Sequence, residues 1–379
     1  MAVLALAVTW NATNVGAIAD AIAVDYGVAL ATVGLFTTAF FIAHSLVQLP
    51  GGGLIDRVGP SRVALAALVI IAVTNALIML TPEPALALAL RVVCGIGTGT
   101  GFIATSDYVR ATGGGAFMQG VFGGIAMGAG GVALGVVPLV ENAIGWRAPF
   151  ATSAGLALIA LVVLAVGPRP GPTRAAGHPP VRLAAVLGDA RLYPLALLQM
   201  LGFGLSLVAG NWASTLLVRA GDYGEDAAGA IASLVLLGGI LTRPLGGWVV
   251  RVHPERARLA IGIGLVGGAV GTALIATAGS LALVVPGGIL LGLCAGIPFA
   301  PAMHGAARLR PDAPAAAVAF VNMMGALTIV AATPLLGLTF SLPGEGRIGF
   351  VAVAAIWAIG LLLAPSREQL GVAPARTAT

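Results

Sequence analysis

Five ionisable residues stand inside long apolar stretches of this 379-residue chain: Asp20, His44, Arg91, Asp107 and Arg243. Burying such groups away from water is costly, so each is a candidate for holding a charged solute, passing a proton or pairing with another charge. An arginine keeps its charge when buried and offers a planar fork that suits a carboxylate or another planar oxyanion. A histidine titrates nearest neutrality and is suited to carrying a proton. Uncharged polar residues add a pattern: Asn11 and Asn14 share a helical face by i, i+3 spacing. No HExxH spacing, paired aspartates or phosphate-binding Gly-x4-Gly-Lys loop occurs. The chain is therefore not expected to be an enzyme or an ATP-driven pump, and no catalytic residue, metal ligand or cofactor site is assigned. Cys94 and Cys294 lie singly in apolar segments and read as small buried hydrophobes.

The elements that position these residues follow from composition. Hydrophobic residues make up 59% and charged residues 9%, against about 25% charged in soluble domains. Too little charge is available to cover a water-facing surface. A helix needs about 20 apolar residues to cross the hydrocarbon, and segments at 1–24, 30–54, 61–80, 85–106, 116–140, 147–167, 193–218, 227–250, 257–278, 281–303, 314–340 and 348–364 qualify. The apolar runs are too long and charge-free for a β-barrel. The expected fold is an all-α membrane protein of twelve transmembrane helices. Met1–Val8 holds no positive residue, so a spanning helix is expected there rather than a cleavable signal.

All 19 basic residues are arginine, since the chain has no lysine. With the N-terminus inside, fourteen arginines sort to inner loops and only Arg147, Arg219 and Arg347 to outer ones. That bias predicts both termini on the cytoplasmic side of the cell's inner membrane. Basic residues do not cluster with aromatics, so no nucleic-acid partner is expected.

The halves repeat. Asp25-Tyr26-Gly27 recurs as Asp222-Tyr223-Gly224, and Pro50, Gly52, Gly53 and Arg57 recur as Pro244, Gly246, Gly247 and Arg251. Ala116-Phe117 with Gln119 recurs as Ala319-Phe320 with Asn322, and Arg147 and Phe150 recur as Arg347 and Phe350. Asn211, beside Trp212, matches Asn14. This predicts two six-helix bundles, 1–167 and 193–379, joined by a Pro/Gly/Arg-rich linker at 168–192, with a solute site near the membrane midplane.

Between spans two and three runs Gly52-Gly53-Leu54-Ile55-Asp56-Arg57-Val58-Gly59-Pro60-Ser61-Arg62. This loop resembles the glycine-x-leucine-x-aspartate-arginine-x-glycine signature of the major facilitator superfamily. Arg91 with Gly95, Gly97 and Gly99 resembles that family's span-four pattern. The resemblance covers the whole chain and implies a secondary transporter working by alternating access. It implies that Gly52, Asp56, Arg57, Gly59 and Arg62 form a conformational latch, Asp56 pairing with an arginine or capping a neighbouring helix N-terminus. In the second half Val250 stands where Asp56 stands and Trp248 where Leu54 stands, so no matching latch is expected there.

The same resemblance implies that spans one, four, seven and ten line the cavity, with two, five, eight and eleven beside them. Candidate solute contacts are then Arg243, Arg91, Asn11, Asn14, Asn211, Trp212, Gln119 and Asn322. For the asparagines and Gln119 the other reading is helix-to-helix hydrogen bonding. Arg243 is placed like the substrate-anion arginine of the nitrate/nitrite porter branch; its other reading is an arginine snorkelling to the inner interface. Arg91 lines the cavity, takes part in proton coupling, or satisfies a buried carbonyl or acid. The branch's span-two arginine is replaced here by His44 and Gln48. Span five carries a glycine stripe like that branch's, while span eleven keeps only Gly325 and Gly337. His44 and Asp20 are the candidate proton carriers, His44 having a packing role as its alternative. Two buried arginines favour a small inorganic or organic anion, moved with protons by a monomer in the lipid bilayer. Span five lacks the glycine-proline pair of the family's antiporters, which counts against the alternative, a proton-coupled multidrug or metabolite exporter. A membrane-embedded enzyme or receptor is the remoter alternative.

The even span count has a direct check. Epitopes at each terminus, probed in intact and permeabilised cells, should both become reactive only on permeabilisation. Opposite behaviour at the two ends would overturn it.

Overall fold

The computed structural model of the chain describes residues 1–172 and 182–372. Arg174, His178 and Arg376 lie outside the described residues, as does the middle of the predicted linker. The described chain is helical, without a strand among the described residues. Nine stretches are long and apolar enough to cross a membrane, or ten if the bent pair at the N-terminus counts as one. One of the nine, Ala116–Val166, has 51 residues. That is about 77 Å of helix, more than twice the hydrocarbon thickness of about 30 Å. It turns at Gly145, φ 61°, into two helices. With the shorter apolar helix Arg347–Leu362, the elements are consistent with twelve passes.

We label them α1 (Ala2–Ala12 and Gly16–Tyr26), α2 (Leu30–Val58), α3 (Pro60–Ile78), α4 (Pro84–Ala111), α5 (Ala116–Ile144), α6 (Ala148–Val166), α7 (Ala190–Gly221), α8 (Glu225–Val252), α9 (Pro254–Ala276), α10 (Leu281–Leu309), α11 (Pro314–Leu338) and α12 (Arg347–Leu362).

The boundaries differ from the sequence expectation at the latch. α2 continues to Val58, so Asp56 and Arg57 are its last turn rather than loop residues. The connection to α3 is Gly59 alone, at φ 92°, and Pro60 starts the next helix. A left-handed glycine followed by a proline stops one helix and starts another with no intervening loop. Arg110, Arg251 and Arg308 likewise fall in last turns, where a cation complements the helix dipole. At the opposite ends, Arg147 Nε donates to the Met79 carbonyl at 3.0 Å and Arg347 Nη2 to the Ala220 carbonyl at 2.7 Å. These repeat-related arginines both satisfy carbonyls at helix C-termini.

Two compact units emerge. The first comprises Met1–Gly114, Ile125–Val186 and Pro311–Met323; the second comprises Gly115–Gly124, Leu187–Arg310 and Met324–Thr379. They are not the plain sequence halves, because the opening turns of α5 group with the second half and those of α11 with the first. In the first unit a core of Trp10, Ile22, Tyr26, Phe36, Trp146 and Phe150 ties α1 and α2 to α6. Tyr26 and Trp146 pack edge to face, centroids 5.1 Å apart. The start of the linker is docked in this unit: Ser61 Oγ donates to the Pro170 carbonyl at 3.0 Å and Tyr108 to the Pro168 carbonyl at 2.9 Å. In the second unit Trp357 is fully buried against Gly268, and Asp189 joins Arg191 and Arg310 where α7 begins and α10 ends.

Helix contacts depend on absent side chains. A Cβ on Gly95 would strike the Phe40 carbonyl, and one on Gly99 the His44 carbonyl. These two glycines, four residues apart, bring α4 against the backbone of α2. Gly99→Val should therefore lower stability by about 2–3 kcal/mol, read as a loss of thermal transition temperature in detergent. Gly131→Val, where a Cβ meets nothing within 4 Å, should leave it near wild type.

Candidate functional site

α1 is not one continuous helix. Ala2–Ala12 and Gly16–Tyr26 meet at a bend of 52°, which corrects the expectation of an unbroken first span. Breaking a helix at membrane depth frees carbonyls and N–H groups that lipid cannot satisfy, so the protein must. The Asn11 carbonyl accepts Arg91 Nη2 at 2.9 Å. Asn14 Oδ1 accepts the Val15 N–H at 2.9 Å, and its Nδ2 reaches the Pro149 carbonyl and Ser153 Oγ on α6. Thr13 Oγ1 donates to the Gly130 carbonyl of α5 at 2.8 Å. The break places three of its polar residues against three different helices.

Around Arg91 the structure builds a buried polar cluster. Asn11 Oδ1 accepts Asn75 Nδ2 at 3.1 Å and lies 3.5 Å from Cys94 Sγ. The guanidinium carbon sits 4.3 Å from the centre of the Phe40 ring. Arg91 is wholly buried, and its Nε and Nη1 have no hydrogen-bond partner. No carboxylate pairs with it among the described residues. Asn75, Cys94 and Phe40 were not singled out by sequence as site residues. Asn75 has the same signal as Asn11, a polar amide within an apolar span.

His44, on α2, lies beside this cluster in an aromatic setting. Its Nδ1 is 3.0 Å from Thr98 Oγ1, and its ring faces Phe40, Phe41 and Phe102. One turn on, Gln48 Oε1 accepts Asn322 Nδ2 from α11 at 2.9 Å, both residues buried. Gln48 Nε2 and Asn322 Oδ1 keep no partner. Asp20 stands exposed in the first turn after the break in α1, where the helix N-terminus favours an acid. It is not brought together with His44 by any contact in the structure.

The first unit also holds the end of α2 against the start of α11. Asp56, 5% exposed, accepts the N–H groups of Ala315 and Ala316, one on each carboxylate oxygen, both at 2.9 Å. This is an N-terminal cap supplied from another helix, combining charge-assisted hydrogen bonds with the positive end of the dipole. Gly52 makes the approach possible, since its absent Cβ would lie 2.7 Å from the Ala315 carbonyl and from Ala319. Asp107 and Arg110, an ion pair on α4, stand near the same carboxylate. Gly59 lies against Gly171 of the linker, while Arg57 and Arg62 point to the surface. In the second unit Gly247 packs on Ala116, the start of α5, but Val250 offers no acceptor there.

In the second unit Arg243 is 3% exposed and nine residues from the end of α8, about 14 Å along the axis. Its Nη1 donates to the Gly123 carbonyl at 2.8 Å. The guanidinium lies 4.3 Å from the Phe299 ring centre and 5.5 Å from that of Phe203. Its Nε has no partner. A snorkelling arginine would extend along apolar surface to water; this one is enclosed by rings and a backbone carbonyl. A Cβ at position 123 would overlap the Phe299 ring, so the glycine stripe of α5 makes room for the stack. Phe203 belongs to a π-helical turn, Met200–Leu205, in α7, and Phe299 follows a break in α10 at Ile297–Pro298. Gln119 is buried on the opening turns of α5. Trp212 lies elsewhere, donating to the Thr333 carbonyl at 3.1 Å and packing on Phe340; Asn211 beside it is exposed.

Among the described residues no group of three His, Cys, Asp or Glu could hold a metal ion. Replacing Asp56 tests the cap. Asp56→Ala removes two charge-assisted hydrogen bonds and should cost about 3 kcal/mol of thermal stability. Asp56→Asn keeps one acceptor and should slow solute exchange in proteoliposomes while binding affinity stays within severalfold. Loss of all binding by a folded Asp56→Asn protein would rule out a purely conformational role.

The sequence profile of the Major Facilitator Superfamily matches residues 1–333. A protein of Cupriavidus necator, described as a probable sulfoacetate transporter, is 28% identical over 140 residues, 36% of this chain and 33% of that protein. The match thus spans about a third of the relative's length. Among solved structures, the fucose:proton symporter of E. coli superposes with a TM-score of 0.70 at 14% identity, covering 97% of each chain. A human organic anion transporter superposes with a TM-score of 0.72 at 17% identity, covering 96% of this chain and 97% of that one. Both likenesses concern the fold. Together with the capped α2–α3 connection and the helical architecture, the profile match shows that this multi-pass membrane chain belongs to the Major Facilitator Superfamily of small-solute transporters.

Proposed function

We propose that the chain is a proton-coupled secondary transporter of a small anion, with both termini in the cytoplasm. The observation that carries the anion is the state of the two buried arginines. Arg91 and Arg243 each hold a full charge away from water, against aromatic faces and a single backbone carbonyl. Neither is paired with a carboxylate among the described residues; Arg91 keeps Nε and Nη1 without a partner and Arg243 keeps Nε without one. A buried, uncompensated cation is expensive, and an incoming anion offsets that cost. The probable sulfoacetate transporter supports the same reading, since sulfoacetate is a small anion with planar and tetrahedral oxyanion ends. The solute contacts would be Arg91 with Asn11 in the first unit and Arg243 in the second.

The proton side rests on His44 and Asp20. His44 lies one turn before Gln48 on α2, within reach of Thr98 and next to the ring that covers Arg91. A proton gained there places a second positive charge near the guanidinium and ties proton occupancy to anion occupancy. Asp20 occupies the exposed turn past the break in α1.

A thermal-shift screen of nitrate, sulfonates and dicarboxylates tests the substrate class. Some anion should stabilise the wild type, and Arg243→Ala should abolish that shift. Stabilisation of both forms by neutral or cationic drugs alone would favour the exporter and sink the anion reading. In proteoliposomes, His44→Gln should lose uptake driven by a proton gradient while keeping gradient-free counterflow. Unchanged gradient-driven uptake would remove His44 from the coupling path.

A further inference from the structure

On the first unit, α2, α3 and α4 form a groove of about 450 Å³. Its floor is low because Gly51 carries no side chain and Ala66 and Ala67 carry only methyl groups. Leu54 on α2 and Ile70 and Ile96 on α3 and α4 are its apolar walls. Thr100 is the uncharged polar side chain in it, and its hydroxyl is spent on the Ile96 carbonyl at 2.8 Å. The groove is therefore a surface for hydrocarbon, except at one end. There Arg62, in the first turn of α3, is exposed and makes no ion pair among the described residues.

Length and charge point to the occupant. Arg62, Ala66 and Ile70 repeat every four residues on one face of α3, so the groove runs along the helix axis. Eight residues from Arg62 to Ile70 span about 12 Å, close to the depth of one leaflet of a hydrocarbon layer about 30 Å thick. A cation thus stands at the interfacial end of a channel one leaflet deep. The exposed Arg57, on the last turn of α2, adds charge at the same level. A guanidinium fork matches phosphate oxygens, and anionic headgroups gather where basic residues meet the membrane surface.

We propose that this groove is a binding site for one anionic phospholipid, its acyl chain lying along α3 and its phosphate held by Arg62. The site shares Arg62 with the latch motif and leaves the Asp56 cap untouched: Leu54 and Val58 flank Asp56 on α2. An acyl chain packed there braces the helix end that presents Asp56 to α11.

Native mass spectrometry of the full chain, released from micelles holding equal phosphatidylglycerol and phosphatidylcholine, tests the site. The wild type should retain one phosphatidylglycerol in preference to phosphatidylcholine. Arg62→Gln should cut that preference roughly fivefold, and Arg62→Lys should restore part of it. Ala66→Trp, which fills the groove from a lipid-facing position, should lower retention of both lipids; Ala66→Leu is the milder form if the larger ring impairs folding. Soluble glycerol phosphate should not displace the lipid. Equal retention of both lipids by the wild type, or unchanged retention in both Ala66 variants, would overturn the assignment. Displacement by glycerol phosphate would also overturn it, reducing the site to a headgroup contact.

Discussion

Hydrocarbon offers no hydrogen-bond partner, so a backbone polar group freed within the spans finds its partner in another part of the chain. This single restriction accounts for most of the side-chain geometry. Where α1 breaks, Arg91 answers a carbonyl and Asn14 answers an N–H. Where α11 begins, Asp56 answers two N–H groups. Where α3 and α7 end, Arg147 and Arg347 answer carbonyls. Among the described residues, Asp56, Arg91, Arg147 and Arg347 serve helix ends and helix breaks rather than an opposite charge.

The interruptions are not evenly spread. α1 is bent, α7 contains a π-helical turn and α10 breaks before Phe299, whereas α4 runs unbroken from Pro84 to Ala111. Irregular backbone at membrane depth is tolerated where it is enclosed by protein or lines a cavity. Each of these three interruptions carries a side chain of one of the two arginine clusters: Asn11 in α1, Phe203 in α7 and Phe299 in α10. The unbroken α4 contributes Arg91 from a regular turn, its close approach to α2 secured by glycine. Ordered irregularity and the arginines thus belong to one arrangement.

Much of this was legible in the sequence, for definable reasons. Hydropathy depends on composition over about 20 residues, and composition is what the bilayer selects. The sharp turn after α2 was legible because glycine and proline restrict backbone angles by themselves. The capping role of Asp56 was available as one of two options, and the structure adds which helix is capped. The break in α1 was not legible: Ala12–Gly16 contains no proline, and the segment is apolar enough to pass as one span. Its cause lies in partners remote in sequence, Gly130, Pro149 and Ser153. For the same reason Asn14, which pattern alone grouped with solute contacts, is found with its amide committed to α6. Phe203 and Phe299 were invisible as site residues because an aromatic in an apolar run carries no mark of its neighbour. Only the fold shows that both face a guanidinium.

One further property follows from the two cysteines. Cys94 is enclosed with Asn75 and Asn11, and Cys294 is packed on Gly267, where a Cβ would collide with its sulfur. Both thiols are buried, which shields them from aqueous maleimides and thiosulfonates in the folded chain. The protein thus comes supplied with a silent background for thiol chemistry. A reporter cysteine placed on any exposed turn will read out its own surroundings, with the native pair left in place to keep their packing.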